Sequence, residues 1–242
     1  MRRFVQQRLF RHCWDTRCRN LTAARLLRPL FAQLSSQERT ILDVGSGDQG
    51  VSTFLRGVPV TTVDLHAPKP SNTMALHGDV TALPFADRSF PVVSCIDVLE
   101  HLAVTDREKA VGELVRVARQ AVLVSFPCGP AATSADLDFL RSYEERGRSA
   151  PAWVREHLKQ PLPDSRDVSN WVRSIGRDSA RDLRIALYYN ESLAICRFLR
   201  AAAVRSTFLY FLANLLFGAV FSFIPVPDGE RCYRVILLVT FE

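Results

Sequence analysis

The chain has 242 residues, 48% of them apolar and 23% charged, with a formal net charge of +6. That length supports one large α/β domain with a buried core, and the composition excludes a disordered chain. Arginine supplies nearly all the basic side chains, with only Lys69, Lys109 and Lys159 as lysines, so the positive charge is not by itself a sign of nucleic-acid binding. The six cysteines (Cys13, Cys18, Cys95, Cys128, Cys196 and Cys232) show neither zinc-ligand spacing nor a disulfide framework, which fits a reducing, cytoplasmic setting.

Residues 1–39 read as a basic helical segment, and residues 40–242 as the main domain. The first thirty positions hold eight arginines (Arg2, Arg3, Arg8, Arg11, Arg17, Arg19, Arg25 and Arg28) against one acid, Asp15. Leu21, Ala24, Leu27 and Leu30 recur near helical spacing and predict an amphipathic helix. No continuous apolar core follows, so the segment is not a secretory signal. Three readings stand: a helix packed on the domain edge, an arm for a membrane surface or partner, and an organelle transit peptide.

Within the main domain, Thr40–Val44 predicts a short buried strand ending at glycines, and Val51–Arg56 the first turns of a helix. Val60–Val63 predicts a second strand closed by Asp64, residues 67–72 a loop, and Met74–His77 a third strand. Pro91–Ile96 is a fourth strand, with proline tolerated at its first position. Asp106 is the expected N-cap of a helix to Ala118, followed by a fifth strand from Ala121 to Phe126. Residues 130–181 read as a charged, proline-bearing helical cover, with pieces near 135–146, 151–159 and 167–175. Leu183–Tyr189 and Tyr233–Phe241 are the last two strand candidates, separated by an apolar helical insertion at 190–230. Apolar strands alternating with helices at short spacing imply a parallel sheet covered on both faces.

The loop Asp43-Val44-Gly45-Ser46-Gly47-Asp48-Gln49-Gly50 directly follows a strand. Glycines there permit positive φ and let backbone N–H groups approach a ligand, but the pattern alone allows either a nicotinamide or an S-adenosylmethionine site. Asp43 stands where it can reach the ligand or polarise the loop. Asp64 ends the second strand, where a carboxylate can accept both hydroxyls of a ribose. Gly78-Asp79-Val80, followed by Leu83-Pro84-Phe85, places an acid after the third strand. A nicotinamide unit has no need of it, whereas a site gripping a free adenine amine does.

On these residues, together with Asp97-Val98-Leu99-Glu100-His101-Leu102, the stretch Ile41–Phe126 resembles the class I S-adenosylmethionine-dependent methyltransferases, in the small-molecule and ubiquinone-pathway subgroup. The resemblance implies a Rossmann-like seven-stranded sheet in the order 3-2-1-4-5-7-6 with the last strand antiparallel. It implies that Asp43, Gly45 and Gly47 line the methionine end of the cofactor. Asp64 would bind the ribose, Asp79 and Val80 the adenine, and Asp97 would sit near the methyl group. Pro91 departs from the many relatives that carry aspartate there, which changes a strand start and leaves the cofactor assignment standing.

For the chemistry, His101 is the candidate general base, against the plainer alternative that Glu100-His101 caps or packs the following loop. Some ubiquinone-pathway relatives use this segment to hold a divalent cation. Asp97, Glu100 and His101 could do so here, but no further ligand is identifiable and no metal is assigned. Tyr143 and His157 are candidate substrate contacts, because the segment after strand five usually covers the acceptor pocket in this family. No target-base motif such as Asn-Pro-Pro-Tyr follows strand four, so a nucleic-acid acceptor is not expected, and a small-molecule or lipid-like acceptor is. Ser206–Val226 carries no charge and reaches the roughly 20-residue length of a membrane span. A single crossing would put strands six and seven on opposite sides of the bilayer. The surviving expectations are a pocket-covering helix pair, or a hairpin at 190–226 lying in the membrane interface with Leu209, Leu212, Leu216 and Phe223 inserted.

Overall fold

The computed structural model describes residues 13–47, 50–65, 74–221 and 229–242. The eight N-terminal arginines are thus described only from Arg17 onward, and Asp48, Gln49, the 67–72 loop and Phe223 lie outside the described residues.

A helical turn, Trp14–Thr16, runs through a π-helical stretch, Arg17–Leu21, into helix α1, Thr22–Ala32. Then come β1 (Ile41–Val44), β2 (Val60–Asp64), β3 (Met74–His77) and β4 (Phe90–Ile96), α2 (Val104–Val117) and β5 (Ala118–Pro127). The cover follows as α3 (Gly129–Glu144), α4 (Ala152–His157) and α5 (Ser165–Asp178). The chain closes with β6 (Leu183–Ser192), α6 (Leu193–Arg205), α7 (Thr207–Ala219) and β7 (Cys232–Phe241). The seven strands form one sheet in the order β3-β2-β1-β4-β5-β7-β6, and β7 runs antiparallel to both neighbours. This is the expected order and direction.

Alternation along each strand sends successive side chains to opposite faces, and both faces of the central strands are buried. Leu42, Val44, Val93, Val122 and Val124 pack with Ala110, Val111 and Leu114 of α2 and Val168 and Val172 of α5. Ile41, Val60, Val92 and Leu123 face the other way, against Ala23, Ala24, Leu27 and Phe31 of α1. The N-terminal helix is therefore part of the core layer, more than an edge attachment.

Two local expectations are corrected, and a third, the helix pair, is met. Val51–Thr53 is only a 3₁₀ turn; Gly57 at φ +77° and Pro59 end the segment before a helix can form, though Val51 and Leu55 still reach the core. Helix α2 starts three residues early, with Ala103 at the cap position and Asp106 in the first turn, where an acid still favours the helix dipole. The apolar insertion is broken into two helices at Ser206, whose Oγ accepts from the N–H of Phe208 (3.2 Å) and Leu209 (3.5 Å). At 13 residues, α7 is short of a span, and no helix among the described residues is long and apolar enough to cross a membrane.

Candidate active site

The site lies at the carboxyl edge of the sheet, where strands β1, β2 and β4 end. Asp43 is 1% exposed; its Oδ2 accepts from the Val51 N–H (3.0 Å) and its Oδ1 from the Ser94 hydroxyl (2.6 Å). Both oxygens are committed inside the protein, so of the two roles open to Asp43 in the sequence the geometry gives it loop shaping. Gly50 must be glycine for the same reason, since a Cβ there would stand 2.1 Å from Asp43 Oδ2. Burial raises the Asp43 pKa to about 6, against the opposing pull of the Ser94 and Val51 hydrogen bonds.

That shift has a direction in pH. The unfolded carboxyl loses its proton near pH 4 and the folded one near pH 6, so between them the folded state binds more protons. Stability should fall as pH rises across that window, by about 3 kcal/mol from this group, and stay flat in it above. Urea unfolding of the wild-type chain and of Asp43→Asn at pH 4.5 and 7 should show a shallower fall in the variant.

Gly45 (φ +70°) and Gly47 (φ +52°) turn the loop back over β1. The Gly47 N–H donates to Asp64 Oδ2 (3.1 Å), which ties the loop to the end of β2. Past β3, Asp79 Oδ1 accepts from both the N–H (2.8 Å) and hydroxyl (3.0 Å) of Thr81, while Val80 is buried beneath. Helix α2 clamps the rest of this turn: Glu113 accepts from the Leu83 N–H at 2.7 Å, and Arg116 donates to the Leu83 and Phe85 carbonyls. Glycine loop, Asp64 and the Asp79–Val80 turn thus stand side by side, as the sequence requires of one ligand site.

Asp97 follows β4 at φ +57°. Its carboxylate is already engaged, accepting from Arg234 Nε and Nη2 at 2.9 Å each, with Arg19 Nη1 at 3.5 Å. Arg234 also donates to Glu191, and it is buried. Three residues on, Glu100 is 3% exposed and neither carboxylate oxygen has a hydrogen-bond partner among the described residues. Burial, and then the negative charge of Asp97, push its carboxyl well above the usual range.

Beyond this segment opens a cavity of about 590 Å³, a volume typical of small-ligand sites. Its floor is Asp97, Glu100 and His101; its walls include Phe139, Tyr143, Trp153 and His157 from the cover, and Thr207, Tyr210 and Asn214 from α7. Tyr143 and His157, singled out from the sequence, both reach it. His101 and His157 face one another with ring centroids 5.1 Å apart. Burial, then the neighbouring His157, lowers the His101 pKa. Glu100, His101 and His157 each offer a ligand atom, all within 4.8 Å of one another. The Nδ1 of His157 meets Asp136 at 3.0 Å and that of His101 meets Glu156 at 3.2 Å, an arrangement that leaves both Nε2 atoms for another partner. With the orphaned Glu100 carboxylate, this donor set fits a small divalent cation, with His157 as the ligand that sequence reading could not supply.

Several cavity residues escaped the sequence. Arg234 had a signal, being the one charge inside the apolar strand Cys232–Phe241. Arg200 and Arg19 had none, since each is a charged residue on a mixed helix, and neither had Asp136, buried behind His157.

Residues 42–126 match the family model described as a methyltransferase domain. No curated protein sequence matches the chain. Among solved structures, a protein from Anabaena variabilis assigned as a methyltransferase of an antibiotic biosynthesis pathway is 16% identical with a TM-score of 0.54, over 92% of this chain and 98% of that one. The methyltransferase domain of a bacterial Hen1 is 13% identical with a TM-score of 0.50, over 98% of both chains. A protein from Bacillus halodurans assigned as a methyltransferase is 16% identical with a TM-score of 0.50, over 91% and 98%. At these identities the likeness is one of fold. The domain match adds that residues 42–126 form a methyltransferase-type domain, the kind that takes S-adenosylmethionine as its cofactor.

Proposed function

We propose that the chain moves the sulfonium methyl of S-adenosylmethionine to an oxygen or nitrogen of a small, lipid-like acceptor held in the 590 Å³ cavity. In this reading Gly45 and Gly47 cradle the methionine end, Asp64 takes the ribose hydroxyls, and Asp79 and Val80 hold the adenine. Asp97 closes the methionine end through its backbone turn while its carboxylate anchors Arg234. The sulfonium is already a strong methyl donor, so the protein's work is to align the nucleophile, keep water out and take up a proton. His101 and His157 stand at the cavity for that proton. A divalent cation held by the Glu100–His101–His157 cluster would instead polarise an acceptor oxygen, with both imidazoles then engaged as its ligands.

The observation that carries the acceptor class is the two-faced helix α7. Its inner side lines the cavity through Thr207, Tyr210 and Asn214, while Phe208, Leu209, Leu212, Leu216 and Val220 are exposed on its outside. An exposed apolar ridge on the helix that roofs the pocket suits a protein that meets a membrane surface and draws an amphiphile from it. We place the chain in the cytoplasm at that surface, with no nucleic-acid substrate.

The purified chain should float with liposomes of phosphatidylglycerol and phosphatidylcholine, and the double variant Leu212→Asp, Leu216→Asp should lose most of that binding while still binding S-adenosylhomocysteine. Equal flotation of both proteins, or none by the wild type, would remove the lipid-like acceptor.

A further inference from the structure

A groove of about 500 Å³ runs between α1 and the turn that follows Val51, and its lining shares no residue with the acceptor cavity. It is open because the segment after the glycine loop stops at the 3₁₀ turn Val51–Thr53, with Gly57 at φ +77°, and builds no second helix beside α1.

Four arginines line the groove: Arg17 just before α1, Arg28 within it, Arg39 ahead of β1 and Arg56 in the turn. No carboxylate does. Elsewhere arginines meet acids, as Arg19, Arg116, Arg119, Arg200 and Arg234 do. Glu38, next to Arg39 in the chain, is taken by the Ser35 hydroxyl at 2.8 Å and by Arg119 at 3.2 Å. Burial, and then the charge of neighbouring Arg25, lowers the Arg17 pKa, so an anion brought here is favoured.

Backbone carbonyls steady two of the guanidiniums. Arg28 Nη2 donates to the Phe54 carbonyl at 3.2 Å, and Arg39 Nε to the Leu34 carbonyl at 3.0 Å. Each bond engages one nitrogen of a five-donor fork, and a carbonyl neutralises no charge, so donors and charge remain for an anion. The lining also includes Phe31, Phe54 and Val58, apolar surface that a bare inorganic ion would leave uncovered.

We infer that this groove is a second ligand site and takes a phosphate ester, with guanidiniums on the phosphate oxygens and the organic part against Phe31, Phe54 and Val58. A guanidinium matches phosphate oxygens with two parallel N–H donors. Several of them around one small space suit a doubly charged group better than a single carboxylate. A soluble ester and a lipid headgroup offer the same phosphate. The inference stands apart from the methyl-transfer reading, because neither Gly45 and Gly47 nor the acceptor cavity lines the groove.

Isothermal titration calorimetry of the full chain tests it, at about 0.15 M salt, where exposed charges more than about 8 Å apart are largely screened. The probes are glycerol 3-phosphate and dihexanoyl phosphatidic acid below its micelle concentration, with glycerol as the phosphate-free control. At least one phosphate probe should bind saturably, one per chain, and glycerol should not. Binding of glycerol 3-phosphate assigns a soluble ester, and binding of phosphatidic acid alone assigns a lipid headgroup. Arg28→Glu combined with Arg56→Glu should weaken that binding by about tenfold or more. Arg173→Glu combined with Arg177→Glu, exposed on α5 across the sheet, should leave it within about twofold. Arg56 is exposed, so Arg56→Glu alone gives the same reading with a smaller loss where the double variant does not fold. Arginines that merely cap the end of α1 would lower the melting temperature on substitution and leave no binding to lose. No saturable binding of either phosphate probe, binding that survives the groove substitutions, or an equal loss in the α5 variant overturns the proposal.

Discussion

Arg234→Ala is expected to destabilise the fold by about 3–5 kcal/mol, the cost of breaking a buried ion pair from one side. The guanidinium sits on β7 between Asp97 and Glu191, and it is 5% exposed. Its removal leaves those two carboxylates facing each other, close to Glu100, with Arg19 at 3.5 Å as the remaining cation for Asp97 among the described residues. The loss should be read as a lower urea midpoint with an unchanged m-value. It should shrink at low pH, where the stranded carboxylates take up protons. Combining Arg234→Ala with Asp97→Asn should recover part of it, because one uncompensated charge is gone; a purely additive double variant would show that the two residues are not coupled.

Gly45→Ala is expected to weaken S-adenosylmethionine binding by well over tenfold. Two costs add. An L-residue at φ +70° pays roughly 1–2 kcal/mol for the left-handed backbone. The new Cβ would also lie 2.3 Å from Val98 Cγ2, and overpacking of this kind typically costs about 1–3 kcal/mol. Relief requires the loop to move off Val98, which carries the Gly45–Gly47 backbone away from the end of β1 and breaks the tie from the Gly47 N–H to Asp64. Gly47→Ala should be milder: its φ is +52°, but a Cβ there meets nothing within 4 Å.

The parts of the molecule that the sequence made legible are those set by local rules. Strands β1 to β5 are short apolar runs bounded by glycine, proline or acid, and each lies within three residues of its expected limits. Asp43, Asp64 and Asp79 occupy strand ends, so their neighbourhood follows once the sheet order is known. Val51–Thr53 failed to become a helix because Gly57 and Pro59 cut it short, and that face of the sheet is covered by α1, which precedes β1. That covering is tertiary and leaves no local mark. The cavity is less legible still. His157, Tyr143, Asp136 and Arg200 lie on three helices whose mutual packing no periodicity encodes, and the partner of the Asp97 carboxylate, Arg234, stands 137 positions away.

The central claim is that the glycine loop, Asp64 and the Asp79–Val80 turn form one S-adenosylmethionine site. Isothermal titration calorimetry of the wild-type chain with S-adenosylhomocysteine, with NAD as the competing ligand, tests it directly. The account predicts one S-adenosylhomocysteine per chain, loss of most of that heat in Gly45→Ala, and no binding of NAD. Stoichiometric binding of NAD, or S-adenosylhomocysteine binding that is the same in Gly45→Ala, would contradict it.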